Sequence, residues 1–242
     1  MSRALVVILA FVGGWVDAAS FVGIDNVMAA HITGNVVILA ANLNEGFVAS
    51  DLIKIVILPV FFGAVMFVTL IHDRIVTRHP NRGLHLPRLL FVEAAFIAPT
   101  GLIGVWITWE GLHLDFWLGL ILVCPVVIGM AIQNAAHRLY PQIGPASTVM
   151  TGNITQFFID RTRGLMGRRS VSKIDDMPAS NWVVPGIIAA FIAGCALGAV
   201  ATSHVGNVTF LVPAAAVLAG ALLQRRLATS SANGDPLEEG RP

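Results

Sequence analysis

The chain has 242 residues, 56% of them hydrophobic and 12% charged, with a formal net charge of +1. Soluble domains carry about 25% charged residues, so this chain cannot clothe a water-facing surface, and lipid is the solvent that matches it. Its near-zero net charge singles out no acidic or basic partner, and its arginine-rich stretches lack the aromatic interleaving of a nucleic-acid surface.

From the N-terminus, the first apolar run covers 5–24. Arg3 ahead of it and Ala18-Ala19-Ser20 within it imitate a cleavable signal. The run carries Asp17, however, and resumes with Phe21-Val22-Gly23-Ile24, so it is expected to stay as a membrane span. A short segment follows at 27–43, interrupted by His31 and by Thr33-Gly34-Asn35. Spans are expected at 55–71, 89–109 and 116–139. A second short segment, 146–159, contains Thr151-Gly152-Asn153, and spans at 183–202 and 208–223 complete the series. A membrane helix needs about 20 largely apolar residues; six segments meet or approach that length, and the two Thr-Gly-Asn segments do not. From Ala228 onward the composition is that of a disordered tail.

Positive charge decides whether the short segments cross, because Lys and Arg are retained on the cytoplasmic side. With eight crossings, the 15 Lys and Arg divide ten inside to five outside. With six crossings and two segments that dip and return, the division is fourteen to one. Arg3, the Arg74, Arg78, Arg82, Arg88 loop, Arg138, the cluster Arg161, Arg163, Arg168, Arg169, Lys173, and Arg225, Arg226 and Arg241 then lie inside. Only Lys54 lies outside, among Asp25, Glu45, Asp51, Glu110 and Asp115. The expected fold is therefore an all-α membrane protein with six transmembrane helices and two re-entrant or broken helices. Both termini are expected in the cytoplasm of a bacterial inner-membrane protein, with anionic lipid at the basic loops.

The halves match. Asp17-Ala18-Ala19 precedes Thr33-Gly34-Asn35 by about the interval that separates Asn134-Ala135-Ala136 from Thr151-Gly152-Asn153, and Pro59 with Gly63 answers Pro185 with Gly194. Residues 1–110 and 111–227 read as two repeats, with 228–242 as the tail. Each repeat makes three crossings, so the second is inverted, the arrangement of many transporters.

A half-helix starting near Thr33 or Thr151 would aim free backbone N–H groups at the midplane, and glycine lets a ligand approach closely. Thr33, Gly34, Asn35, Thr151, Gly152 and Asn153 are thus the candidate solute site. The competing reading is packing, as in the GxxxG face Gly194-Cys195-Ala196-Leu197-Gly198. Ionisable groups in the membrane are costly and mark function. Asp17, His31 and Glu93 are candidates for proton coupling, all in the first half, with Asn134, Val149 and the apolar Val212-Pro213 as their counterparts. Each has a structural alternative: a helix–helix hydrogen bond for Asp17, the outer water boundary for His31, and an interfacial position near Arg88 for Glu93. Of the adjacent Gln133 and Asn134, Asn134 is expected to face the cavity, and His137 is expected at the inner boundary. Trp106, Trp109 and Trp117 fit an interfacial belt, and Cys124 and Cys195 read as buried thiols, not a disulfide. No hydrolase, phosphate-loop or metal-ligand motif is present, so no cofactor or metal is expected.

Gly14-Trp15-Val16-Asp17-Ala18 followed by His31-Ile32-Thr33-Gly34-Asn35, and Gln133-Asn134-Ala135 with Thr148-Val149-Met150-Thr151-Gly152-Asn153, resemble the YoaK family of uncharacterised bacterial membrane proteins. The likeness runs from about Leu5 to Gln224. It implies a multi-pass inner-membrane protein and no substrate. The leading expectation is a small-solute transporter or channel whose constriction is the two Thr-Gly-Asn segments, beside Asp17 and Asn134. The alternatives are a membrane-embedded enzyme using Asp17, His31 and Glu93, and a non-transporting subunit. A homo-oligomer is left open.

Overall fold

The computed structural model describes residues 3–43, 46, 48–78, 85–166 and 183–233. The positions expected for Glu45, Arg82, Arg168, Arg169, Lys173, Arg241 and the last nine tail residues lie outside the described residues. Eight α-helices follow in order: α1 (Arg3–Gly23), α2 (Ile32–Asn42), α3 (Ala49–Arg78), α4 (His85–Glu110), α5 (Phe116–Leu139), α6 (Met150–Leu165), α7 (Val183–Val205) and α8 (Leu211–Asn233). A 3-10 turn, Gly206–Phe210, joins α7 to α8.

Among the described residues five stretches are long and apolar enough to cross a membrane, and the fifth, Val183–Leu227, holds α7 and most of α8. The chain is a multi-pass helical membrane protein. α2 and α6 are different: at 1.5 Å per residue their 11 and 16 residues span about 16 and 24 Å, short of a core about 30 Å thick. Several boundaries differ from expectation. Residues 27–31 are loop, and α6 continues past 159 to Leu165. α8 continues past Ala228 to Asn233.

Neighbouring residues fix the helix directions. Val7 lies beside Gly186, Phe11 beside Gly194 and Trp15 beside Gly198, so α1 and α7 run parallel. Ile53 lies beside Gly119, and Thr69 shares a cavity with Arg138, so α3 and α5 are parallel too. Ile97 meets Gly129 while the Thr100 hydroxyl donates to the Leu122 carbonyl, so α4 and α5 are antiparallel. Leu5 meets Gly220 while the Trp15 indole N–H donates to the Thr209 hydroxyl at 3.1 Å, making α1 and α8 antiparallel. Gly101 meets Leu211 and Gly104 meets Asn207, which sets α4 against α8 in the same sense. Thus α1, α4 and α7 point one way, and α3, α5 and α8 the other. The end at which α1 starts is called the near end below, and its opposite the far end.

The α1 window is 67% buried and that of α3 only 11%. α1 and α5 therefore form the centre, and α3 turns Phe62, Met66, Phe67 and Leu70 outward, as a lipid-facing helix can. Trp106, Trp109 and Trp117 are exposed at the far end, Trp109 most of all at 86%. Lys54 is not an exposed loop cation. It is buried, its Nζ 3.5 Å from buried Asp51, whose carboxylate also accepts from Asn42 and from the Val48 N–H. That network ties the end of α2 to the start of α3.

Candidate functional site

After α1 the chain turns back through Asp25 and Asn26, both in the left-handed region (φ 47° and 55°), which Asn and Asp tolerate better than most residues. The returning loop is fixed by Asp17. Its Oδ1 accepts the Ala30 N–H at 2.6 Å and the His31 N–H at 3.2 Å, and its Oδ2 pairs with His31 Nδ1. Asn35, fully buried in the first turn of α2, accepts from the Met28 N–H at 2.8 Å and donates to the Met28 carbonyl at 2.7 Å and the Ile32 carbonyl at 3.3 Å. α2 then starts with His31 as its N-cap residue, without a side-chain cap.

The second half repeats the plan. The Thr148 hydroxyl donates to Asn134 Oδ1, fourteen residues back as His31 is from Asp17. Asn153 donates to the Ala146 carbonyl at 2.9 Å, seven residues back as Met28 is from Asn35. α6 starts at Val149, again without a side-chain cap, and its φ and ψ of −100° and 59° match the −99° and 66° of His31. Val149 thus shares the backbone conformation of His31, while the side chain that meets Asn134 is Thr148, one residue earlier. An uncapped start leaves several N–H groups without a helical partner.

The two helix starts converge. Thr148 and Ser147 lie against Gly13 of α1, one turn before the Asp17 that holds Ala30 and His31. The second loop is also held from behind. Gln133 donates to the Leu9 carbonyl at 3.0 Å and to Ser147 Oγ at 2.8 Å, and His137 Nε2 meets the same Oγ at 2.8 Å. His137 is therefore buried and not the boundary residue expected from its neighbour Arg138; the loop folds back over it.

The surroundings of the two pairs differ. His31 packs edge-on against Phe191 of α7, ring centroids 5.7 Å apart. Asn134 instead borders a cavity of about 290 Å³ between α3, α5 and the loop before α6, lined also by Phe61, Val65, Thr69, Arg138 and Val149. Asn134 is thus the member of the Gln133–Asn134 pair that faces open space.

Of the sequence-derived candidates, Asp17, His31, Asn134 and both Thr-Gly-Asn triplets share this region. Their roles divide. Thr33, Thr151 and Gly152 are exposed at the helix starts, Gly34 makes room for the Met28 sulfur, and Asn35 and Asn153 hold loops. Glu93 is elsewhere. It is fully buried instead of reaching out toward Arg88 at the surface, and its carboxylate oxygens have no hydrogen-bond partner among the described residues. The α4–α8 and α1–α8 registers place it on the order of 15–20 Å nearer the near end than Asp17. Sequence reasoning passed over Ser147 and Thr148 as site residues; the fourteen-residue interval from Asn134, equal to that from Asp17 to His31, is the signal that finds Thr148. Cys124 and Cys195 are free.

A family model described as a protein of unknown function, DUF1275, matches residues 5–223. No curated protein and no solved structure matches the chain. The chain belongs to the DUF1275 family, whose extent and uncharacterised standing agree with the YoaK-like resemblance of the motifs.

Proposed function

We propose that this DUF1275 protein moves a small solute across a bacterial inner membrane, through a polar passage where the starts of α2 and α6 meet. One observation carries the reading: two helices too short to span begin, uncapped, against the same stretch of α1. Lipid does not tolerate unpaired backbone groups at that depth, but a water-filled passage does. Such helix starts favour anionic or strongly polar groups on a solute.

The helix directions support six crossings. α1 and α3 run in opposite senses, as do α5 and α7, so neither α2 nor α6 makes a net crossing. The packing supports an inverted repeat. Exchanging α1–α4 for α5–α8 turns the α1–α7 pair into α5–α3, α2–α3 into α6–α7 and α4–α5 into α8–α1, and each of these pairs packs. The charge pattern places the near end in the cytoplasm, with both termini. In this reading Thr33, Thr151, Gly152 and Asn134 face the solute, and Asn35 and Asn153 position the helix starts. Asp17 and His31 form the pair that couples solute movement to protons, since a carboxylate and an imidazole can each take up and release one.

The test is a flux assay in proteoliposomes with small neutral and anionic solutes, with and without a pH gradient. Solute-dependent flux is expected for the wild type. Asp17→Asn is expected to keep flux down a solute gradient and to lose the response to a pH gradient. Absence of flux for every solute in folded, inserted protein would sink the proposal.

A further inference from the structure

The two seams that flank the site are built from corresponding helices but are not equally closed. Counting from Pro59 in α3 and Pro185 in α7, Phe61, Val65 and Thr69 correspond to Ile187, Phe191 and Cys195. The three α3 residues line the open cavity beside Asn134. Their α7 counterparts border a packed seam: Ile187 is fully buried, while Phe191 and Cys195, themselves half-buried, press their backbone on Gly14 of α1. Gly194 and Gly198 bring α7 equally close to Phe11 and Trp15. Where the second half has Val149 bordering a cavity, the first half has the His31 ring, held by Asp17 and laid against Phe191. The His31 side chain is still 36% exposed, so it stands at the edge of this seam and not within it.

We infer that Asp17 and His31 are the latch of an outer gate between α1 and α7, and that the cavity beside Asn134 is the inward-facing entrance of this conformation. The inference rests on the transport reading for its orientation. An inverted repeat supplies the mechanism. The two halves can exchange their arrangements, so that α1 and α7 part while α3 and α5 close. The latch weights that exchange toward the inward-open form, because a charge-assisted hydrogen bond holds His31 on Phe191, and the equivalent Asn134–Thr148 pair leaves the ring position to Val149.

Native Cys195 reports on the gate. In full-length protein carrying Cys124→Ala, a membrane-impermeant maleimide applied to the outer face is expected to leave Cys195 unreacted. Adding Asp17→Asn and His31→Val, which copy the second half, is expected to raise outer-face labelling about tenfold or more, the size of a population shift of about 1.4 kcal/mol. His31→Val alone keeps both backbone bonds to Asp17 and is expected to raise it less. Thr69→Cys in an otherwise cysteine-free chain, labelled from the cytoplasmic face, checks that each variant is folded and inward-accessible. Outer labelling of the wild type, or unchanged labelling in variants whose Thr69→Cys site still reacts, would overturn the latch. The two readings separate in parallel flux measurements. Cys195 exposure without passage of any solute keeps the gate and removes the transporter, and passage with Cys195 always sealed does the reverse.

Discussion

The two halves solve one folding problem with different chemistry. Each must bring a loop back into the bundle and start a short helix there. The first half does so with a carboxylate that holds two backbone N–H groups and an imidazole, the second with a carboxamide that holds a hydroxyl. Backbone shape survives the exchange, as the matching φ and ψ of His31 and Val149 show. What changes is the side-chain chemistry and the packing: the Asp17–His31 pair sits against the close-packed α1–α7 seam, the Asn134–Thr148 pair beside the cavity between α3 and α5. Geometry therefore belongs to the bonds that fix the loops, and function to what those bonds leave uncovered.

The strongest way to break this comparison is to force the sealed seam apart. A Cβ on Gly194 would collide with the Phe11 carbonyl oxygen, whereas one on Gly63 of α3 meets nothing within 4 Å. Backbone cannot move aside as a flexible side chain can, so Gly194→Leu is expected to cost about 3 kcal/mol or more and to prevent accumulation of folded protein. Gly63→Leu is expected to fold as the wild type does. Expression and thermal unfolding in detergent compare them; equal behaviour would mean that the glycine seam is not the closed one.

A smaller effect tests the loop anchors. Asn35 makes three hydrogen bonds and is fully buried, while Asn153 makes one and is partly exposed. Asn35→Ala leaves buried backbone groups unsatisfied and is expected to cost about 2–3 kcal/mol, against about 1 kcal/mol for Asn153→Ala. Thermal unfolding midpoints should rank wild type, Asn153→Ala, Asn35→Ala from high to low. The reverse order would show that the second loop carries the greater strain.

Much of this was legible in the chain. Apolar length marked the six long helices, because the thickness of a bilayer acts on composition alone, and interrupted length marked α2 and α6. The Gly194–Gly198 face was legible as a packing motif, but its partner was not. Gly14 and Phe191 are 177 residues apart in sequence, and only the parallel run of α1 and α7 brings them together. Thr-Gly-Asn drew attention as a unit and then divided by burial, since rotation about a helix axis sends adjacent residues to different faces. Glu93 looked interfacial because only four residues separate it from Arg88. Its position on the α4 face turned toward the bundle hides it instead.

The smallest structural change bears most directly on the passage. The side chains of Thr33 and Thr151 are exposed at the two helix starts, and neither hydroxyl anchors another part of the described residues. Replacing either by Val keeps the shape and removes a hydrogen-bonding group. Stability is expected to stay within about 0.5 kcal/mol of the wild type, so any change in flux reports on solute contact and not on folding. If the cytoplasmic cleft is the open entrance, solute resides on the α6 side for most of the cycle, and Thr151→Val should reduce flux severalfold while Thr33→Val reduces it less. In the Asp17→Asn/His31→Val background the first half resembles the second, and the two substitutions should then converge. Equal effects in both backgrounds would place solute on the two helix starts at once, as in a continuous pore, and the difference between the halves would then concern folding alone.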